Sequence, residues 1–417
     1  MKRCLLVSVF ALALVATNAQ STFEKIENVP TLAKWKINFT DHQDLEVIGL
    51  NRSSAAPAPY TKSKELKATL DAQRTRTYPN KSKVDFNNDL EPNIESSFNG
   101  KPIGSTGIPL DNTIAVSNGG IIMSAINTNV NILDSTGTSL RFRTLSGMVA
   151  GQLGLLDRFY DPKVLYDPTT DRFILVFLEG SNSNDTRIIV GFSETNDPLE
   201  DWNFYAINGN PNGGTKWSDY PIIAHNKEDL YITVNILRDN ESWQEGFVQS
   251  VIWQVNKASG YSGADLVQNI YQNISYNNQP VWSICPVQPA VDMDMDNMYF
   301  LSVRPDAEAN DTIFLHEITD KATSGNATHT LTVLESTEEY GVPPSAFQPT
   351  EGYRLQTNDT RVLSASLHQG QIQYVQSTIV PDRIASGIYH GTISDVAASP
   401  SVEGRIISST DMDYAYP

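Results

Sequence analysis

From Ile108 to its last residue the chain is written in short apolar runs rich in Val, Ile, Tyr and Phe. Asn, Asp, Gly and Pro break these runs, and no stretch sustains the three-to-four-residue spacing of a long helix. The pattern predicts strands joined by tight turns. Residues 20–105 differ: they lack sustained periodicity, carry Ala56-Pro57-Ala58-Pro59, and hold one helix-like stretch at 64–73. They are expected to form an irregular N-terminal arm or pro-segment with a short helix.

The strand pattern repeats. Asp111-Asn112-Thr113-Ile114 leads into the apolar run 121–125, Asp161-Pro162-Lys163-Val164 into 173–177, and Asp219-Tyr220-Pro221-Ile222-Ile223 into 230–234. Gln288-Pro289-Ala290-Val291 leads into 298–303, and Tyr353-Arg354-Leu355 into 361–365. Anchored on Ile114, Val164, Ile223, Val291 and Leu355, the spacings are 50, 59, 68 and 64 residues. Three residues after each anchor stands a short polar side chain, Ser117, Asp167, Asn226, Asp294 and Asn358, where a hairpin needs a turn former. Each unit has room for two more strands, such as 187–192 and 202–205. Four strands per unit, repeated around an axis, predict an all-β protein: a β-propeller of about five to seven four-stranded blades over residues 106–417. Separate β-sandwiches would need about 100 residues per unit. A sixth opening is read at 411–417, where Asp413-Tyr414 and Tyr416-Pro417 echo Asp219-Tyr220-Pro221. The expectation is a chain that continues past Pro417; the alternative is a last sheet completed by a strand of the arm.

The first 19 residues change the picture of compartment. Lys2 and Arg3 precede an apolar run over 4–15 and the small residues Ala16, Thr17 and Ala19, the plan of a cleaved secretory signal peptide. The run is too short to span a bilayer of about 30 Å. The protein is therefore expected to be secreted, extracellular or on the cell surface, without membrane insertion, and monomeric. Of two cysteines, Cys4 leaves with the leader, so Cys285 is solitary and reads as a buried small hydrophobe. The net charge is −18, and residues 101–417 hold 17 Lys+Arg against 37 Asp+Glu, which argues against nucleic acid as a partner. With 40% apolar residues the chain has ample material for a core.

Four strings carry a more specific likeness: 111–120, 161–173, 193–202 with Asp197-Pro198 and Trp202, and Trp217-Ser218-Asp219-Tyr220-Pro221. They resemble secreted β-propeller proteins common among Bacteroidota, many of which end in a type IX secretion sorting domain. That resemblance implies export past the outer membrane and no particular reaction. Residues 193–202 are also distantly similar to the Asp-box turn of sialidase-type propellers, without its Gly; the arginine triad and nucleophile of a sialidase have no counterpart here.

The repeated aspartates Asp111, Asp161, Asp219 and Asp413 fall just before the predicted innermost strands, which would place them at one mouth of a central channel. There they are candidate catalytic carboxylates of a glycoside hydrolase or polysaccharide lyase; alternatively they cap strands by accepting backbone N–H groups. Glu179 and Glu194 are further candidate acids. Trp217, Tyr220 and Trp282 are candidate sugar-stacking residues, or else packing between blades. Asp292, Asp294 and Asp296 have the spacing of the start of a Ca²⁺ loop, although Asn297 stands where such a loop needs Gly. No cofactor is required by this reading, and Ca²⁺ is the one metal it suggests. The six histidines form no zinc motif. The function expected is a binding or scaffold module for a polysaccharide or cell-surface partner, with the channel-mouth hydrolase or lyase as the alternative.

Overall fold

A computed structural model describes residues 20–40, 61–74, 94, 96–100, 110–149, 151–153, 158–241, 245–290, 293–348 and 353–417. The leader-like residues 1–19 and Ala56-Pro57-Ala58-Pro59 lie outside these. Among the described residues five sheets follow one another along the chain, each built on four antiparallel strands to which shorter or more distant strands are added in three of them. Sheet 1 is Thr113–Val116, Ile122–Ile126, Asn129–Leu133 and Ser139–Thr144. Sheet 2 is Phe159–Asp167, Arg172–Glu179, Arg187–Ser193 and Asp201–Asn208. Sheet 3 is Lys216–His225, Asp229–Arg238, Phe247–Asn256 and Gln268–Tyr276. Sheet 4 is Trp282–Pro286, Met298–Val303, Asn310–Thr319 and Thr328–Tyr340. Sheet 5 is Val362–His368, Gln371–Val380, Ala385–Ser394 and Ser401–Ile407. Among the described residues no helix is long and apolar enough to cross a membrane.

The sheets stack face to face in chain order, and this explains their sequences. Residues alternate across a strand, so a sheet covered on both faces reads as an unbroken apolar run. In Arg172–Glu179, Phe173, Leu175 and Phe177 join the core shared with sheet 1, whereas Ile174, Val176 and Leu178 join the core shared with sheet 3. Tyr231, Ile252 and Tyr271 of sheet 3 pack on Phe300 and Ile318 of sheet 4, and Leu301 and Ile313 of sheet 4 pack with Tyr374 and Tyr389 of sheet 5. The opening strand of sheet 5 alternates instead, with Ala365 and Leu367 buried and Ser364, Ser366 and His368 exposed. Tyr374 packs closely because Gly391 lies opposite it: a Cβ on Gly391 would come within 2.1 Å of the Tyr374 ring.

The repeat predicted from sequence locates sheets 1 to 3 correctly and misplaces the openings of the next two. Sheet 4 starts at Trp282–Pro286, not at 288–291; Gln288–Pro289 instead forms a short parallel pair with the opening strand of sheet 5. Sheet 5 starts at Val362–His368, while Arg354–Leu355 pairs with Ala346–Phe347 outside it. Pro289 mimics Pro162 and Pro221, and that drew the register forward. Ser117 and Asn226 do hold hairpin corners, accepting from the backbone N–H of Ile121 at 3.1 Å and of Asp229 at 2.9 Å.

The arm is less irregular than its sequence suggests. Ala33–Asn38 pairs with the outer strand of sheet 2 and Ser21–Glu27 with that of sheet 3, so the arm covers two edges that would otherwise be open. The predicted helix is present over Thr61–Gln73. It is anchored by Lys67, whose Nζ donates to Thr357 Oγ1 at 2.5 Å, and by the adjoining Arg74, which forms a fully buried ion pair with Asp413 at 2.7 Å. Arg74 also lies 4.1 Å over the Phe347 ring.

Trp202 tests the packing. It is fully buried in the core between sheets 1 and 2, stacks on Phe39 of the arm at 5.1 Å, and donates to the Pro198 carbonyl at 2.9 Å. Trp202→Ala should cost about 3–5 kcal/mol in urea unfolding. A loss under about 1 kcal/mol would show that the arm and sheet 2 are not held through this side chain.

Candidate functional site

The opening strands of sheets 2, 3 and 4 break their ladders at matching places: between Tyr160 and Lys163, between Asp219 and Ile222, and between Trp282 and Cys285. In each break one residue takes a left-handed backbone, Asp161 at φ 52°, Tyr220 at 57° and Ser283 at 47°; Asp111, leading into sheet 1, has φ 44°. Pro162 and Pro221 sit inside two of these bulges, where no ladder N–H is needed. A bulge re-aims a side chain, and a non-glycine residue held at positive φ costs of order 1–3 kcal/mol.

Matching by backbone shows that Asp161-Pro162 corresponds to Tyr220-Pro221, so Asp219 stands one residue ahead of the place its sequence suggests. It nevertheless joins the others. Asp111 accepts from Asn127 Nδ2 at 2.8 Å, and the same side chain's Oδ1 accepts from the Asp161 backbone N–H at 2.9 Å. Asp111 and Asp161 are neighbours bridged through Asn127, and the charges of Asp219 and Asp111 both bear on Asp161. As residues all three are half-buried.

Burial raises all three above the usual carboxylate range. For Asp161 the rise is large, because the charges of Asp219 and Asp111 add to burial, against the opposing pull of Lys163 and Arg158. Asp111 is raised by burial against the pull of Lys163 and Arg158. Asp219 is raised by burial against the Tyr220 N–H, Arg158 and Arg361. Arg361 comes from beside the opening strand of sheet 5. It is buried, grips Asp359 through two bonds of 2.8 and 2.7 Å, and lies 4.8 Å over the Tyr220 ring. Sheets 1, 2, 3 and 5 thus contribute to one constellation of three carboxyls, three cations and a phenol. Its cations have little signal in the sequence: Lys163 stands in the repeated Asp161-Pro162-Lys163-Val164 string and Arg361 heads the run 361–365, but nothing in either marks a site residue, and Arg158 lies outside the repeated strings.

The other candidates lie elsewhere. Asp413 stays apart from the cluster, paired with Arg74 and accepting from the Phe347 and Ser386 backbones. Glu179 is fully buried against Arg187 at 2.6 Å, and Glu194 pairs with Lys36 at 2.5 Å. Trp282 stacks on Phe247 at 3.9 Å, and Trp217 lies half-buried against the core of sheets 2 and 3. Asp292 lies outside the described residues, Asp294 pairs with Lys227 at 2.9 Å, and Asp296 is exposed. Among the described residues no group of three or more His, Cys, Asp or Glu is arranged to hold a metal ion. Burial pushes the Cys285 thiol up to about 12, which leaves it unreactive.

No family model and no curated protein matches the chain. Among solved structures it is similar to an exo-β-1,3-galactanase from Clostridium thermocellum, with a TM-score of 0.34, 10% identity, and coverage of 70% of this chain and 60% of that one. A GH43 endo-arabinanase from Bacillus licheniformis gives a TM-score of 0.26, 11% identity, and coverage of 70% and 96%. A mitotic checkpoint complex gives 0.31 and 11%, with coverage of 78% and 89%. The chain spans less than two thirds of the galactanase's length, and likenesses this distant decide neither fold nor chemistry.

Because Asp161 ionises reluctantly in the folded state, its charge destabilises the fold above its raised pKa, and this penalty vanishes below the ordinary carboxylate range. Asp161→Asn should therefore melt higher than wild type at pH 8, with the difference closing toward pH 4. A variant less stable than wild type at pH 8 would show that the ionised carboxylate holds the fold together.

Proposed function

We propose that the five sheets are blades of a β-propeller and that the protein binds a glycan where the opening strands converge on Asp111, Asp161 and Asp219. The observation that carries this reading is the gathering of three half-buried aspartates beside the opening strands, in an arrangement that opposes their own ionisation. A carboxylate recruited to cap a strand is stabilised as an anion; Asp167, beside Lys257, is such a case, held below the usual range against its burial. The three aspartates are pushed the other way, and departures of this kind gather at functional sites. Carboxyls, guanidinium groups and a phenol together offer the donors and acceptors that sugar hydroxyls need. The leader-like residues 1–19 support export, and the net charge of −18 supports a ligand other than nucleic acid.

A hydrolytic role for the same site is the second reading. A carboxyl that keeps its proton near neutrality can protonate a leaving glycosidic oxygen while an ionised neighbour acts as base or nucleophile.

A panel of neutral and acidic polysaccharides, assayed by calorimetry and by release of reducing ends, separates the two. Binding without turnover, weakened about tenfold or more in Asp161→Asn, is the predicted result. Turnover abolished by the same substitution establishes the hydrolase instead. Neither binding nor turnover across the panel would refute a glycan role.

A further inference from the structure

At the far end of the strand that carries Asp161 lies a second cluster, built from Asp167, Lys257, His225 and Tyr261. Lys257 Nζ is 2.7 Å from Asp167 Oδ2, and the two side chains are 2% and 0% exposed. The carboxyl is held on both oxygens: the Thr169 N–H donates to Oδ1 at 3.0 Å, while Thr170 Oγ1 and the Tyr261 hydroxyl donate to Oδ2 at 2.8 and 3.0 Å. On the other side of the amine, His225 Nδ1 lies 3.3 Å from Nζ. His225 Nε2 faces the Tyr166 carbonyl at 3.3 Å. Nδ1 also faces the Asn226 carbonyl at 3.2 Å, and a neutral ring donates to one carbonyl at a time; in the tautomer that carries its hydrogen on Nε2, the Nδ1 lone pair is left toward Lys257. Burial pushes His225 down to about 4, which keeps the imidazole neutral.

We propose that Lys257 and Asp167 condense into an isopeptide bond that staples sheet 2 to sheet 3. His225 Nδ1 takes a proton from the Lys257 ammonium, and the freed amine lone pair attacks Asp167 Cγ, one bond beyond the oxygen it already touches. The Nζ–Cγ bond forms, and the Cγ–Oδ2 bond breaks as Oδ2 takes up the proton returned by His225 and a second proton from Nζ. One water leaves, Oδ1 stays as the amide carbonyl against the Thr169 N–H, and nothing is oxidised or reduced. The thiols, metals and cofactors that other cross-links need have no part in it.

Three features drive the step. The amine and the carboxyl are held in contact, and fixed neighbours of this kind react with effective molarities of about 10⁵–10⁸ M. The pair is shut off from bulk water, which removes the hydration that makes ammonium and carboxylate inert toward each other. Tyr261 and Thr170 donate to the oxygen that departs, and both line an open groove of about 640 Å³ that gives the released water a way out. Asp229 and Glu228 also face the amine and favour its ammonium form, against the burial that lowers Lys257. The closed loop spans 90 residues, so the bond removes much freedom from the unfolded chain. No disulfide within the structure can do this, because Cys285 is unpaired.

Peptide mapping of the purified full-length protein tests the proposal directly. The expected product is a branched peptide joining the segments around Asp167 and Lys257, lighter than their sum by one water. Asp167→Asn should form the same bond with loss of ammonia and yield a branched peptide of identical mass. Lys257→Arg should give separate peptides and a thermal midpoint lower by several degrees, and His225→Gln should slow the reaction so that freshly made protein contains both forms. Separate, unmodified Asp167 and Lys257 peptides from folded wild-type protein would overturn the proposal, and that readout requires no variant to fold.

Discussion

The middle sheets of this protein have no free face, and the rest of the molecule follows from that constraint. A strand buried on both sides must place apolar side chains at every position, as Phe173 to Leu178 do, and each such sheet must find a neighbour on either side. Stacking in chain order meets the demand, with four apolar cores between five sheets. It also gathers the opening strands, because each sheet enters the stack from the same side. The arm then covers the outer edges of sheets 2 and 3, and its helix pins the last residues of the chain through Arg74 and Asp413.

Polar groups enter this apolar stack in two contrasting ways. Around Asp167 the charges are matched and every oxygen of the carboxyl has a donor, which makes the cluster a link between sheets 2 and 3. Around Asp161 the charges are mismatched: three carboxyls share a site with cations that only partly offset their repulsion. Two of the three, Asp161 and Asp219, stand at ladder breaks where Asp161 and Tyr220 hold a positive φ. The first cluster supports a covalent staple, the second a ligand site, and they occupy opposite ends of one strand, Phe159–Asp167.

Much of this is legible in the sequence. Apolar runs between turn formers located the strands of sheets 1 to 3, and the repeated aspartates marked three of the residues that converge. Other features had no local signal. Ser21–Glu27 is short, polar and mostly exposed, so it becomes a strand only through its partner Gln268–Tyr276. Sheet 5 alternates because one of its faces meets solvent, and the repeat therefore slipped onto Arg354–Leu355. Asp219 was aligned with Asp161 by residue type, whereas the backbone aligns Tyr220 there. Arg361 reaches the cluster from a distant part of the sequence, and Lys257 reaches Asp167 across 90 residues; such pairings are created by the stacking of the sheets.

The central claim is that carboxyls at the converging strands keep a proton that an ordinary surface aspartate has lost. Infrared spectroscopy of the protein labelled at its aspartate carboxyls reads this directly. Wild type should keep a protonated-carboxyl band to clearly higher pH than the ordinary aspartate range, and the Asp111→Asn, Asp161→Asn double variant should show a weaker one. A wild-type spectrum in which every aspartate ionises within the ordinary range would contradict this.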